Sequence, residues 1–423
     1  MRVNKLDKLP KEILGLLRRF GRLAEENGYL AFVVGGVVRD LFLGRKNFDF
    51  DIVIEGDGID FAKKISKEFK AELTKHERFN TAVLVMPSGL KIDVATARKE
   101  VYGHPGALPE VTAGRIIDDL YRRDFSINAM AIDITPGGFG TLIDFFDGLK
   151  DLRDKKIKVL HDLSFIDDPT RVLRAIRFEQ RFKFKIEGDS FDLIKQAIRK
   201  RVFETVKPPR IWQELYLVLN EAKPKSYIQR LAKVCGLYFI HPKLKIDRNI
   251  FRLFDAIERS SGRTNIVSCD DFKFWIIYFM ALTDRLKLIE IKKLAEKFNL
   301  KRNEKKKIYS YKNVNKNLFE FLGKQKLRQS QVYIVLEPLS YEALLLLKIK
   351  AKNQIAKKRI GVFLNIYNKT KLSINGHDLK LLGVKLDNRF KNVLDKVFYK
   401  KLDGGLETKK EELAYASRLI KNL

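Results

Sequence analysis

The chain has 423 residues, 45% of them hydrophobic and 32% charged, with 84 Lys and Arg against 53 Asp and Glu for a formal charge of +31. That is enough chain for about two to four domains, and so large a cationic excess repels itself in the folded state and favours a polyanionic partner, nucleic acid above all. Two cysteines (Cys235 and Cys269), five scattered histidines, no apparent leader and apolar runs no longer than Phe274–Leu282 and Ala343–Leu347 argue against a disulfide framework, a His or Cys metal motif and a membrane span, so a soluble cytoplasmic protein with no membrane partner is expected.

Residues 9–28 predict an amphipathic helix, with Ile13, Leu16, Leu17, Phe20 and Leu23 at helical spacing. It leads into a strand at Ala31–Val34, then the turn Gly35-Gly36 and a helix from near Val37 that carries Arg39 in its first turn. A second strand is expected to carry Asp49 and Asp51, whose side chains share a face because strand side chains repeat with period two. Two carboxylates facing a glycine turn and a helix N-terminus suit Mg²⁺ held against a polyphosphate. The plainer alternative is two aspartates on a solvated strand end; the alternation of Phe48, Phe50, Ile52 and Ile54 against the acids argues against it. No GxxxxGK[ST] and no GxGxxG after a strand is present.

A helix over Ile59–Phe69 and strands near Glu72–Thr74, Ala82–Met86 and Lys91–Thr96 continue the pattern, with Asp93 between Ile92 and Val94. A charge inside an apolar strand is usually paired or liganding, so Asp93 reads as a third carboxylate of the metal site or as a buried salt-bridge partner. Ala97–Arg115 is rich in Gly, Pro and polar residues and predicts a long loop. Arg122, Arg123 and Asp124 follow, ahead of the apolar stretch FSINAMAI with Asn128. The arginines suit phosphate contacts and Asp124 a ribose hydroxyl, although an idle charge cluster at a helix end explains them equally well.

From about residue 150 the strand signals give way to helices. Asp168-Pro169 predicts a sharp helix start, with Asp168, Arg171 and Arg174 in one row on its face. An Asp–Arg pair can match the amino-donor and ring-nitrogen acceptor edge of cytosine or adenine and reject uracil and guanine. Residue chemistry alone favours the plainer reading, a capping Asp168 and a surface Arg171. Helices are expected at Phe191–Arg199, Arg210–Asn220, Lys225–Val234 and through Asn249–Lys369, and a last region runs from Ile374–Leu386 to EELAYASRLI. Basic residues cluster in Arg171–Lys207 and Lys287–Lys326 rather than in the first hundred positions, which argues against a basic character tuned only for solubility.

GGVVRDLFLGR…DFD, RRDFSINAMAID (Arg122–Asp133), FDGLKDLRDKKI (Phe146–Ile157) and DDPTRVLRAIRF (Asp167–Phe178) together resemble class II tRNA nucleotidyltransferases of the DNA polymerase β-like superfamily. The resemblance implies an α+β nucleotidyltransferase head with a mixed sheet over 1–145. After it come an all-α neck with a nucleotide-selecting helix (146–205), an RNA-binding helical body (206–370) and a tRNA-binding tail (371–423). It implies Asp49 and Asp51 as ligands of two Mg²⁺ ions and, with Asp93, as catalytic residues. Gly35, Gly36, Arg39, Arg122, Arg123, Asp124, Asn128, Asp168, Arg171 and Arg174 would bind the nucleotide. It assigns the Asp168–Arg171 pair to base selection, with Asp167 where the family has Glu. The expected reaction is template-independent addition of CMP and AMP from CTP and ATP to a tRNA 3′ end, the body gripping the acceptor and TΨC stem. Addition of A alone to tRNA ending in CC, a poly(A) polymerase, and a non-catalytic RNA-binding protein remain alternatives. A flexible loop at Ala97–Arg115 is needed in the family for the terminal A, so its presence disfavours CC-only activity without separating CCA from A-only addition. The tail departs from the family at Leu386-Asp387, where Pro-Gly is usual. Some relatives carry regulatory domains ahead of the head, so a fragment of a longer protein is an open reading.

Overall fold

The computed structural model describes residues 5–107, 109–261, 272–382 and 388–421. Cys269 and the departure at Leu386-Asp387 lie outside them. The chain divides into two compact units: residues 1–215 with 230–239, and residues 216–229 with 240–423.

The first unit begins with α1 (Lys11–Glu26), β1 (Leu30–Val34), α2 (Gly36–Leu43), β2 (Phe50–Glu55) and α3 (Gly58–Phe69). Strands β3 (Glu72–His76), β4 (Thr81–Val85) and β5 (Lys91–Thr96) follow, then β6 (Arg98–Val101), β7 (Glu110–Ala113), α4 (Ile116–Tyr121), β8 (Ala131–Asp133) and β9 (Leu142–Ile143). Seven strands form one sheet in the order β3-β4-β5-β2-β1-β8-β9. It is mixed, as expected: β2 and β5 run parallel and the other neighbours antiparallel.

The period-two pattern settles which face does what. Phe50, Ile52 and Ile54 are at most 1% exposed and lie on the face opposite Asp51 and Val53. On the Asp51 face a core of Phe32, Val34, Val53 and Ala131 is closed by Ile116 and Leu120 of α4. Helix α3, capped by the Asp57 carboxylate on two backbone N–H groups, packs on β4 and β5 through its own buried stripe of Phe61, Ala62 and Ile65.

Two elements differ from expectation. β2 starts at Phe50, so Asp49 stands just before the strand, with its N–H donating to Asn47 Oδ1 at 2.9 Å. Phe48 is 45% exposed and outside the core, which is why the apolar alternation overstated the strand by two residues. Ala97–Arg115 is not a bare loop but the hairpin β6–β7, paired from Arg98↔Ala113 to Val101↔Glu110. Gly103, Pro105, Gly106 and Pro109 lie between its two strands and masked the strand-forming ends in composition.

The unit continues with α5 (Gly148–Arg153), β10 (Lys156–Ile157), α6 (Ser164–Asp167), α7 (Thr170–Phe182), β11 (Lys185–Ile186), α8 (Gly188–Arg199) and α9 (Pro208–Leu219) as far as Leu215. Pro169 caps α7 rather than occupying its first turn, and Asp168 is extended (φ −131°) ahead of the helix. The second unit is helical among its described residues. Phe274–Leu282 has buried side chains from Trp275 to Leu282, as befits a short helix that is apolar all round. The C-terminal segment has its own core around Ile374, Leu379, Val393, Val397, Leu406 and Ala416. No helix among the described residues is long and apolar enough to cross a membrane.

Candidate active site

Gly35 turns the chain from β1 into α2 with φ +73° and ψ −129°, a conformation that side-chain-bearing residues rarely adopt. A Cβ there would also lie 2.6 Å from Arg123 Nη1. The turn, the start of α2 at Gly36, Asp49 and Asp51 all open on one cleft of about 470 Å³. Asp124, Asn128, Asp168 and seven arginines (39, 122, 123, 171, 174, 177 and 181) line the same cleft. The structure therefore brings together, around one space, every nucleotide-binding position expected from the motifs. Gly35→Ala is expected to fold at a cost of about 1–3 kcal/mol and to lose at least about tenfold in kcat/KM for nucleotide by displacing Arg123; thermal unfolding and initial rates check both parts.

Asp93 pairs in register with Asp51 across the parallel strands β2 and β5, on the same sheet face. It does not line the first cleft. It lines a second one of about 470 Å³, together with Asp51, Lys91, Arg98, Arg122 and Arg123. Lys91 Nζ donates to Asp93 Oδ2 at 3.1 Å, whereas Asp93 Oδ1 is buried with no hydrogen-bond partner. Burial pushes the Asp51 carboxyl up to about 6; the Arg123 charge works against this, and the Asp93 and Asp49 charges add to it.

The arginines are held by partners the sequence reading did not single out. Asp119, 0% exposed, accepts Arg122 Nε and Nη2 at 2.9 and 2.6 Å and Arg123 Nη2 at 2.9 Å. Burial alone would push the Asp119 carboxyl up, but the Arg123 and Arg122 charges bring it below its ordinary value. Glu100 takes a further bond from Arg122 Nη1 at 3.0 Å. The spacing of Asp119 to Arg122 and Arg123, three and four residues, was the available signal. A second network has no such signal. Asp40 accepts Arg39 Nε (2.9 Å), Arg39 Nη1 donates to Asn128 Oδ1 (2.6 Å), and Asn128 Nδ2 donates to Asp124 Oδ1 (2.9 Å). Asp124 Oδ2 then accepts Arg174 Nε (2.8 Å), and Glu214 of α9 accepts from both Arg174 and Arg177 at 3.1 Å.

Arg39 also lies over the Phe182 ring at 4.6 Å, so its guanidinium is largely engaged by protein. Asp168 Oδ1 accepts the Thr170 N–H and hydroxyl, and its Oδ2 pairs with Arg210 at 2.8 Å. Arg171 is 4% exposed, so it is not surface charge; it donates to Ser164 Oγ and to the Arg122 carbonyl. Asp168 and Arg171 share the cleft; the Arg171 N–H donates to the Asp168 carbonyl at 3.0 Å, while their side chains engage other residues.

Residues 31–158 match the family model described as the Poly A polymerase head domain. Over 416 residues the chain is 32% identical to the A-adding tRNA nucleotidyltransferase of Halalkalibacterium halodurans, with 96% of this chain and 93% of that protein covered. The chain belongs to the tRNA nucleotidyltransferase family. It is also 36% identical over 417 residues, 97% of its length, to the A-adding tRNA nucleotidyltransferase of Geobacter sulfurreducens; it spans 47% of that longer relative, about half. The Thermotoga maritima CCA-adding enzyme complexed with tRNA CCA matches with a TM-score of 0.75 at 34% identity, covering 99% of this chain and 98% of that one.

Nucleotidyltransferases of this family generally use a divalent metal. The residues present fit one. Asp49 and Asp51 line one cleft, burial raises the proton affinity of the Asp51 carboxyl, and Asp93 beside Asp51 keeps a buried oxygen without a hydrogen-bond partner. Among the described residues no three or more His, Cys, Asp or Glu side chains form a complete metal cage. That suits a hard cation held by one or two carboxylates and completed by ligand oxygens. The raised Asp51 carboxyl has a stability consequence in this family member. The folded state binds that proton more tightly than the unfolded chain, so ionising it costs stability. The penalty is absent below the ordinary value of 3.8, grows with pH up to about 6 and is full above that. Asp51→Asn in chelator should therefore be more stable than the parent at pH 8 by roughly 2–3 kcal/mol and equal to it near pH 3.5. Urea unfolding at the two pH values measures the difference.

Proposed function

We propose that this chain is a tRNA 3′-end nucleotidyltransferase that adds AMP, and in the fuller form CMP, from ATP and CTP without a nucleic-acid template. The observation that carries the reading is the single cleft in which the Gly35-Gly36 turn, Asp49, Asp51 and the Asp168, Arg171 and Arg174 side chains face one another. The triphosphate lies against the turn and the start of α2, with Arg122 and Arg123 held ready by Asp119. Asp49 and Asp51 hold Mg²⁺, which when bound neutralises charge at the reacting phosphate. Asp93, on the neighbouring strand with a free buried oxygen, orients the attacking 3′-hydroxyl. The 3′-hydroxyl oxygen bonds to the α-phosphorus and gives up its proton to Asp93 or solvent as the bond to pyrophosphate breaks in line, and positioning and electrostatics supply most of the acceleration. We assign the catalytic head to 1–145, the neck to 146–205, the body to 206–370 and the tail to 371–423. Body and tail would grip the acceptor and TΨC stem by shape and phosphate contact, in the cytoplasm.

Two relatives named A-adding favour completion of tRNA ending in CC as the activity. The poly(A) polymerase head match keeps one second reading, in which ATP gives a long tail. Transcripts ending at the discriminator base, in C and in CC are offered CTP or ATP separately. One A added to the CC transcript and no CMP incorporated anywhere is the expected result. CMP incorporation makes the activity full CCA addition, a long A tail makes it polyadenylation, and no incorporation of either nucleotide overturns the reading.

A further inference from the structure

Outside the two clefts, the first unit carries a row of aromatic rings that the proposed chemistry does not use. Phe145, Phe146, Tyr121 and His161 follow one another with ring centroids 6.4, 5.8 and 5.2 Å apart. Tyr121 is 49% and Phe145 53% exposed, and Leu163 beyond His161 is 60% exposed. A contiguous apolar surface of this kind is unusual on a chain with a formal charge of +31, where isolated exposed residues would be unremarkable. The row is anchored rather than loose, because Phe146 packs against the core under α4. Its residues adjoin lining residues of the nucleotide cleft along the chain and through one hydrogen-bonded step. Tyr121 directly precedes Arg122, and the Ser164 N–H bonds the His161 carbonyl at 3.1 Å while the Ser164 hydroxyl accepts Arg171.

We infer that this row is a stacking platform for the unpaired bases at the 3′ end of the acceptor RNA, an inference that rests on the function proposed above. Aromatic faces bind bases that are free of a duplex stack, whatever their identity, and the bases at the substrate end that must reach Asp51 are unpaired. Exposed Asp147 and Asp162 lie in the same loops. Their charge opposes a phosphate track across the rings, so the surface suits base faces with the backbone turned away. The row holds the substrate's end and takes no part in the chemistry.

The test uses the full chain and a tRNA transcript ending in CC with 2-aminopurine at the position before the two cytidines. Binding to the parent should quench the fluorophore. Tyr121→Ala should abolish most of the quenching and raise KM for the transcript about tenfold, the loss of one base stack. KM for ATP and kcat should change less than about twofold. Tyr121→Phe, which keeps the ring, should behave as the parent. Phe145→Ala is the second variant should Tyr121→Ala unfold. Unchanged quenching and unchanged transcript KM in a folded Ala variant would overturn the platform. So would a parent dimer made monomeric by the substitution with unaltered RNA binding, which would make the row an interface between two copies. A parent that incorporates no AMP into any transcript would instead sink the proposed function, so the two failures are distinguishable.

Discussion

Asp49→Ala and Asp51→Ala should each lower AMP incorporation at least about a thousandfold while leaving tRNA affinity within about twofold of the parent. Asp51 is the carboxylate common to both clefts; Asp49 lines only the nucleotide side and Asp93 only the other. In the proposed reaction a phosphate held in the first cleft would have Asp51 between it and the second cleft. Loss of either Asp49 or Asp51 would leave one carboxylate where the proposed reaction uses a pair to hold a cation at the point where charge develops. In the proposed reading the tRNA body is gripped through its phosphates by other parts of the chain, so filter binding should register little. Retained turnover in either variant would refute the metal assignment, and a parallel collapse of tRNA affinity would mean that the substitution had unfolded the head.

Asp119→Ala should be among the most destabilising single substitutions in the chain. The carboxylate is 0% exposed and takes charge-assisted bonds from two arginines, with lengths of 2.6–2.9 Å for the strongest three. Removing one partner of a buried ionic network leaves uncompensated charge, at a cost of about 3–5 kcal/mol. Arg122 would keep Glu100, but the Arg123 guanidinium would lose its bonds from Nε and Nη2 to Asp119. Activity should fall with stability, because both guanidinium groups line the nucleotide cleft. The neighbouring Asp118→Ala is the contrast. That carboxylate caps α4 through the Arg115 N–H at 2.9 Å, so its loss should cost only about 1 kcal/mol and leave the rate near the parent's. Urea unfolding and initial rates on the two variants decide the matter; equal small effects would show that Arg122 and Arg123 are held by something other than Asp119.

Much of the site was legible because its chemistry is local in sequence. The glycine turn, the aspartate pair two residues apart and the Arg122-Arg123-Asp124 run each declare themselves within a few positions, and backbone periodicity then assigns faces. Legibility failed where a partner came from elsewhere. Nothing near residues 168–174 announces that Arg210 takes Asp168 or that Glu214 takes Arg174, since those pairs are 42 and 40 residues apart and form only when α9 reaches back to α7. The hairpin β6–β7 was missed for a different reason: its tip dominates the composition, while two four-residue strands are too short to carry a periodic signal.

The sequence by itself determined the sheet-bearing head, the order of its motifs, the face on which Asp51 points and the cationic character that implies an RNA partner, because these depend on spacing and composition. Only the tertiary structure decided which charges are available. Burial and pairing are properties of three-dimensional neighbours, and they bind Arg39 to Asp40 and Asn128, Arg122 to Asp119, and Asp168 to Thr170 and Arg210. They also leave Asp93 with one oxygen unpaired beside an Asp51 that holds its proton up to about pH 6. A carboxylate read from sequence is only an acid; its neighbours in the fold decide whether it is paired or left with an oxygen to offer.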